Sequence, residues 1–304
     1  MKKLICPLLF VAAVAFAAAP GTRDEMEQSF SVKPGGLLNF DADLADVEIE
    51  TGDSDTVHVE FTRTFKVQSA EEANDLRQKL TVEMVQEGNT VKVAVRLVDD
   101  RAGTNRSKMR LDFRVKMPRK FNLELRTGGR ATVGDLEGWA KARTEGGSLK
   151  LGNINGAVTA RSEGGSVRIG NAGANVEVRS QGGSATMGVV PGRVLATAEG
   201  GSVSIEEAQD SIEARAEGGS VRAYLSKQPR ADSKITAEAG NIDLRLDASV
   251  AVNVDAACTA GRLTSDFSLN GHQIDNPGRL KSPINGGGPL VTLRASAGNI
   301  NLHK

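Results

Sequence analysis

The feature that most constrains this fold is a pair of glycines that recurs at one fixed spacing along the chain. The blocks between successive pairs resemble one another, as RTEGGSLKLGNINGAVTA and RSEGGSVRIGNAGANVEV illustrate. A fixed period of this kind is the sequence signature of a solenoid, in which each repeat stacks on its neighbours. The first glycines of the six pairs are Gly128, Gly146, Gly164, Gly182, Gly200 and Gly218.

Apolar and polar residues alternate within each block, which is typical of half-buried strands. Val176 and Val178 fall on one face, whereas Glu177 and Arg179 fall on the other. Each block therefore predicts two short strands, and the chain predicts an all-β, single-stranded β-solenoid with coils of about 18 residues. Equivalent positions form inward columns such as Val158, Val176, Val194 and Ile212, and the alanine-rich Ala142, Ala160, Val178, Ala196 and Ala214. These columns predict a narrow core that is stabilised by contacts between neighbouring coils.

The doubled glycine has two interpretations. In the first, it turns the same tight corner in every coil and supplies the positive φ that such a corner requires. In the second, it forms an anion-binding nest like those of phosphate-binding loops. Phosphate and dinucleotide loops open a helix, and no helical pattern follows these glycines, so the corner interpretation is favoured.

Two charged columns run along the predicted outer face of the repeats. The acidic column lies two positions after the arginine column, as in Arg143 and Glu145; Thr197 interrupts the arginines and Gln181 interrupts the acidic residues. One interpretation is a solvated face that resists aggregation, and the other is a charged strip that binds an envelope polymer or a protein. The columns consist of Arg143, Arg161, Arg179 and Arg215 and of Glu145, Glu163, Glu199 and Glu217.

The segments on either side of the repeats are also mainly β. The sequence pattern of residues 28–125 predicts an N-terminal β-layer that covers the first edge of the stack. It also predicts one short helix over about 69–80, which starts at a capping box. Residues 126–304 predict the solenoid, whose last coils are irregular. Residues 270–289 predict a long loop, interpreted as a flexible connection or a functional insertion.

The N-terminus and the composition indicate an exported protein. Residues 1–19 have the order of a secretory signal peptide, and no later segment is apolar enough to cross a membrane. The chain has 38 basic and 38 acidic residues, so charge gives no indication of a nucleic-acid partner. Cys258, the one cysteine beyond the leader, is predicted to be a small buried strand residue. We expect a periplasmic or secreted protein, with or without association with the cell surface.

Catalytic and metal-binding motifs are nearly absent from the sequence. The three histidines lack metal-ligand spacing, and neither a His-Glu-x-x-His nor a Gly-x-Ser-x-Gly motif occurs. We therefore predict a non-enzymatic protein without a cofactor or a metal. The alternative is a carbohydrate-active lyase or hydrolase on a β-solenoid, with Asp266, His272 and Asp275 as candidate residues.

Four stretches of the chain carry a family resemblance. They are FSVKPGGLLNF, VKMPRKFNLELRTGG, the EGGSVRIGN repeats and the closing GGGPLVTLRASAGNINL. Together they resemble an exported bacterial family of adhesin-like proteins, a domain of unknown function related to the head domains of some autotransporter adhesins. The resemblance implies a right-handed β-solenoid in the cell envelope and an adhesive role, with an envelope polymer or protein as the partner.

Overall fold

A computed structural model describes residues 23–98, 107–267 and 278–304. The predicted signal peptide over residues 1–19 lies outside these ranges. Most of the described residues belong to two long sheets of 13 strands each, which we call sheet A and sheet B. Their strands are mainly parallel, and the chain passes repeatedly from one sheet to the other. Within the described ranges, no helix is both long and apolar enough to cross a bilayer.

The first part of the chain supplies one end of both sheets. Strands β1 and β4, β4 and β7, and β5 and β6 pair in antiparallel fashion. The predicted helix is confirmed as α1, and the Oγ of its N-cap Ser69 accepts a hydrogen bond from the amide of Glu72 at 3.2 Å. The elements are β1 (Arg23–Ser31), β2 (Leu37–Ala42), β3 (Asp46–Gly52), β4 (Thr56–Phe65), α1 (Ala70–Gln78), β5 (Leu80–Glu87), β6 (Thr90–Leu97), β7 (Met109–Pro118) and β8 (Asn122–Thr127).

The repeats supply the middle of both sheets, with odd-numbered strands in sheet A and even-numbered strands in sheet B. Each strand pairs in parallel with its equivalent in the next repeat, so that Val158 lies beside Val176 and Val176 beside Val194. The strands are β9 (Ala131–Val133), β10 (Ala140–Thr144), β11 (Leu149–Leu151), β12 (Val158–Ser162), β13 (Val167–Ile169), β14 (Val176–Ser180), β15 (Ala185–Val190), β16 (Val194–Ala198), β17 (Val203–Ala208), β18 (Ile212–Ala216) and β19 (Val221–Leu225).

The predicted inward columns form the core. Val158, Val176 and Val194 are each at most 2% exposed, as are Ala142 and Ala160 of the alanine-rich column. Successive members of a column are register partners in neighbouring strands. Each repeat therefore buries its aliphatic side chains mainly against the equivalent positions of the repeats beside it.

The corner interpretation of the glycine pairs needs a correction. None of the six predicted corner glycines has φ in the left-handed region. They are required by close stacking instead, because a Cβ on Gly164 would lie 2.7 Å from the carbonyl oxygen of Gly146, and one on Gly182 would lie 2.6 Å from that of Gly164. A serine follows five of the six pairs, and these serines add hydrogen bonds between repeats, as where Ser166 Oγ accepts from the amide of Ser184 at 3.1 Å.

The corner amides are engaged in bonds between repeats. The amide of Gly182 donates to the carbonyl of Glu163 at 2.9 Å, and that of Gly200 donates to the carbonyl of Gln181 at 2.7 Å. A phosphate nest needs such amides to face a ligand. The structure therefore favours the corner over the anion-binding interpretation.

The last part of the chain completes both sheets out of chain order. Strand β25 lies between β20 and β22 in sheet B, and β26 lies between β21 and β23 in sheet A. Cys258 is a buried residue of β22, as predicted. The strands are β20 (Ser233–Ala237), β21 (Ile242–Leu246), β22 (Val252–Ala260), β23 (Leu263–Ser265), β24 (Arg279–Ile284), β25 (Leu290–Ala297) and β26 (Ile300–His303).

The prediction of one irregular loop over 270–289 is wrong in its second half, where β24 pairs antiparallel with β22. The first half, up to residue 277, lies outside the described residues. Leu280, Ser282 and Ile284 of β24 alternate inward. The strand also contains Pro283. Proline is tolerated here because β24 is the edge strand of sheet B.

Candidate functional site

The predicted charged columns lie on the outer face of sheet B, and we call these eight residues the sheet B strip. Arg143, Arg161 and Arg179 are register partners in β10, β12 and β14, as the repeat period predicts. Thr197 then interrupts the arginine column before Arg215 resumes it. The acidic members directly follow β10, β12, β16 and β18, next to the glycine pairs, whereas Gln181 follows β14.

The arginines of the sheet B strip are paired with carboxylates. Arg143 forms an ion pair with Glu163, and Arg179 Nη2 lies 2.6 Å from Glu199 Oε1. Arg161 pairs outside the predicted set, with Glu177 at 2.8 Å. Arg126 also pairs with Glu145 at 2.7 Å, and Arg215 pairs with Glu217 at 3.2 Å and with Glu238 at 2.5 Å. These exposed pairs contribute about 0–1 kcal/mol each to stability and leave the strip locally neutral.

The outer face of sheet A is shaped differently, because a column of glycines runs along it. Gly152, Gly170 and Gly188 are stacked, with the amide of Gly188 donating to the carbonyl of Gly170 at 2.8 Å. They help to line an open groove of about 920 Å³ that extends from β11 to β21 and reaches β26. We call this the sheet A groove, and backbone forms part of its floor.

One wall of the sheet A groove explains why these positions are glycine. The amide of Asn171 donates to Asn153 Oδ1 at 2.9 Å, and the amide of Val189 donates in turn to Asn171 Oδ1 at 2.9 Å. A Cβ on Gly170 would lie 2.8 Å from Asn153 Oδ1, and one on Gly188 would lie 2.5 Å from Asn171 Oδ1. The stacked asparagine side chains therefore leave no room for side chains in the glycine column, and the sheet A groove stays open.

The other wall carries cations. Arg168, Thr186 and Ser204 are register partners that follow Lys150 and precede Arg222 in one outward column. Within the described part of the chain, neither Lys150 nor Arg168 has a carboxylate at ion-pair distance. Arg222 is 77% exposed, and its Nη2 lies 3.9 Å from Asp243 Oδ2. These positive charges are thus less compensated than those of the sheet B strip.

The end of the sheet A groove near β19 and β21 is lined by larger side chains. The guanidinium carbon of Arg245 lies 4.8 Å from the ring centroid of Tyr224, and Tyr224 Oη donates to Asp247 Oδ2 at 3.2 Å. Burial and the nearby carboxylate of Asp247 raise the pKa of Tyr224, whereas hydrogen bonds from Ser249 lower the pKa of Asp247. The tyrosine therefore stays a neutral hydrogen-bond donor to an ionised carboxylate near neutral pH.

The residues of the enzyme alternative are only partly described. Asp266 Oδ2 lies 3.1 Å from Nδ1 of His303, and both side chains are exposed. His272 and Asp275 lie outside the described residues. In the ranges that the structure covers, no three His, Cys, Asp or Glu side chains are grouped so that they could hold a metal ion.

The sheet A groove was missed in the sequence although its signal is present there. Lys150 and Arg168 are one repeat apart, and Arg222 follows three repeats later. Thr186 and Ser204 interrupt this column, so it is less regular than the arginines of the sheet B strip. The Gly-Asn dipeptides at 152–153 and 170–171 mark the part of the sheet A groove that lies beside this cation column.

Solved structures resemble this chain at low sequence identity. A "putative adhesin" from Parabacteroides merdae is 13% identical, with a TM-score of 0.41 over 92% of this chain and 96% of that chain. A "putative lipid binding protein" from Parabacteroides distasonis is 14% identical, with a TM-score of 0.38 over 92% and 97%. A "putative cell adhesion protein" from Clostridium sporogenes is 10% identical, with a TM-score of 0.25 over 92% and 99%.

Sequence comparison assigns the chain to a family. No curated protein matches the sequence. One family model, Toastrack DUF4097, matches residues 37–303 and so spans the repeats and most of the flanking strands. This chain therefore belongs to the Toastrack DUF4097 family, in agreement with the resemblance read from its motifs.

Proposed function

We propose that this protein is an exported, non-enzymatic, adhesin-like module that binds a polymer or protein partner in the cell envelope. Membership of the Toastrack DUF4097 family, together with the resemblance of its motifs to adhesin-like proteins, supports this role. The signal-peptide pattern of residues 1–19 supports export. The outer faces of the two sheets are the surfaces that the fold offers to such a partner.

The sheet A groove is the binding surface that we favour. The observation that carries this choice is the difference in charge pairing between the two faces. A ligand at Arg179 would compete with Glu199 at 2.6 Å, whereas Lys150 and Arg168 have no such competitor within the described residues. Uncompensated charges attract an oppositely charged partner over a longer distance than neutral pairs do. The sheet B strip stays a prediction and serves as the comparison.

The architecture proposed for this module is a right-handed β-solenoid with coils of about 18 residues over 126–304, preceded by the N-terminal β-layer of 28–125. Regular alternation between the sheets supports the coil length, as do register partners that lie one repeat apart, such as Ala140 and Val158. Right-handedness is supported by the strong preference of crossover connections between parallel strands for that hand.

Binding to isolated envelope fractions tests the function. We expect the purified protein to sediment with the envelope, and replacement of Lys150, Arg168 and Arg222 by Gln to reduce the bound fraction at least about tenfold, since each lost charge-assisted hydrogen bond weakens binding. The matched control replaces Arg143, Arg161 and Arg179 by Gln, which removes the same charge from sheet B. Equal losses in both variants would mean that net charge alone drives binding. Loss in the control alone would move the site to the sheet B strip, and absence of any binding would refute the function.

A further inference from the structure

We propose that the sheet A groove binds an acidic polysaccharide whose chain lies along the stacking direction of the strands. The inference rests on the proposed function and names its ligand class. Its starting point is the composition of the groove, where four exposed cations face two acids. The cations are Lys150, Arg168, Arg222 and Arg245, and the acids are Glu206 and Asp243.

The positions of the cations suit a polymer with separated negative charges. Lys150 and Arg168 occupy adjacent strands, and Arg222 lies three strands beyond Arg168. At about 4.8 Å per strand, the column from Lys150 to Arg222 extends over about 19 Å. An extended chain lying along the column would place acidic groups near both ends. Arginine is well suited to carboxylates because its planar fork can bind both oxygens.

The middle of the column suits neutral, hydroxyl-rich segments of such a chain. Thr186 and Ser204 lie between the cations, and their hydroxyls can both donate and accept hydrogen bonds. On the facing wall, Asn171 uses Oδ1 to accept from the amide of Val189, so its Nδ2 is the group left to donate. The floor at Gly152, Gly170 and Gly188 allows a flat ring to approach the backbone closely, because no side chain projects from these three positions.

Two other kinds of anionic partner, an acidic peptide and an anionic lipid with its acyl chains, match the groove less well. An extended acidic peptide gains most of its affinity by adding a strand to a sheet edge, whereas the groove lies on a sheet face. An acyl chain needs an exposed apolar surface. The large apolar side chains that are exposed in the described residues are Val98, Trp139 and Leu290, and none of them lines the groove.

Titration of the full chain with defined polymers tests the ligand class. The probes are polygalacturonate and alginate as acidic glycans, dextran as a neutral glycan, poly-L-glutamate as an acidic peptide and phosphatidylglycerol vesicles as an anionic membrane. We expect at least one acidic glycan to bind at least about tenfold more tightly than every other probe. Raising the salt concentration should weaken this binding, because the charges are exposed.

Variants locate the glycan in the groove. The triple replacement of Lys150, Arg168 and Arg222 by Gln should weaken glycan binding at least about tenfold, and the sheet B triple variant should stay within about twofold. Glu206→Gln removes a repelling carboxylate and should tighten binding by about twofold. Thermal unfolding checks that each variant remains folded.

The outcomes separate this inference from the proposed function. Envelope binding through the groove without binding of either acidic glycan would overturn the ligand class and leave the function standing. Equal affinity for poly-L-glutamate would show that the groove recognises charge alone, and preference for the vesicles would assign it to membranes. Failure of both the envelope fractions and the polymers to bind would remove the function together with the inference.

Discussion

At the scale of single residues, the corner glycines show how closely successive repeats approach one another. A Cβ built on Gly164 would meet the carbonyl oxygen of Gly146 at 2.7 Å and its carbonyl carbon at 3.0 Å. Backbone atoms cannot move aside as the end of a flexible side chain can. A side chain at such a position would therefore have to separate two repeats that are joined by hydrogen bonds on both sides.

Gly164→Ala should lower the free energy of unfolding by about 1–3 kcal/mol, because the added methyl group forces neighbouring backbones apart. Urea denaturation measures the change. Gly52→Ala is the control, since a Cβ on Gly52 meets no atom within 4 Å and its φ is not left-handed. Equal effects of the two substitutions would contradict the stacking explanation.

The residue scale also shows what could be read from the sequence. Alternation and period were enough to predict the buried columns through Val158 and Ala142, because both follow from strand geometry. The reason for the glycines was wrong, since the sequence does not reveal the distance between repeats. Arg161 and Arg168 look equivalent in the sequence, but only the structure shows that Arg161 Nη2 lies 2.8 Å from Glu177 Oε1.

At the scale of elements, an ion cluster joins the edge strand β1 to β4 and to α1. Asp24 Oδ2 lies 2.6 Å from Arg63 Nη2 and 2.9 Å from Arg77 Nε. Both guanidinium groups also lie over the ring of Phe65, with their central carbons 5.2 Å and 4.8 Å from its centroid. The side chain of Asp24 is only 9% exposed, so loss of its charge would leave two cations without their shared partner.

Asp24→Asn should lower the free energy of unfolding by about 3 kcal/mol at neutral pH, because it breaks a buried ion pair. Burial opposes the charged form of Asp24, but hydrogen bonds from Arg77 and Arg63 outweigh it and lower the pKa. The resulting stability is present above the unfolded pKa of about 3.9 and is lost as the pH falls through the lower folded pKa. The difference from wild type should therefore shrink in acid.

Urea denaturation from pH 7 to pH 2 measures this dependence. Asp75→Asn is the control, because Asp75 is 59% exposed and pairs with Lys79 on the helix surface. It should cost less than about 1 kcal/mol. A difference between wild type and Asp24→Asn that stays constant below pH 4 would show that the ion cluster is not the source of the effect.

At the scale of the whole molecule, the order of strands differs from the order of the chain near the C-terminal end of the stack. Ser233 of β20 pairs with Val291 of β25, a strand from much later in the chain. The sequence predicted irregular final coils but not this order, because the regular period ends before these strands and gives no spacing to extrapolate. The pairing of β25 with β20 depends instead on which strand edges of the two sheets are still unpaired.

Leu293→Ala should lower the free energy of unfolding by about 2–5 kcal/mol, because Leu293 is fully buried between Ile235 of β20 and Ala256 of β22. Hydrogen exchange should accelerate in β22 and β24 and change little in β10–β14, since solenoid repeats contact mainly their neighbours. Leu290→Ala is the control, as Leu290 is 39% exposed. Uniform acceleration along the chain would indicate global unfolding instead.

The inserted position of β25 and β26 has a consequence for biosynthesis. Residues 290–303 are synthesised after residues 252–265. Their strands, β25 and β26, nevertheless lie between the strands of residues 252–265 and the rest of the stack. A nascent chain that lacks this segment leaves the edges of β20 and β21 unpaired, and such edges recruit other strands. The C-terminal end of the stack can therefore form correctly only after residues 290–303 have been synthesised. We expect a prematurely terminated chain to be prone to aggregation.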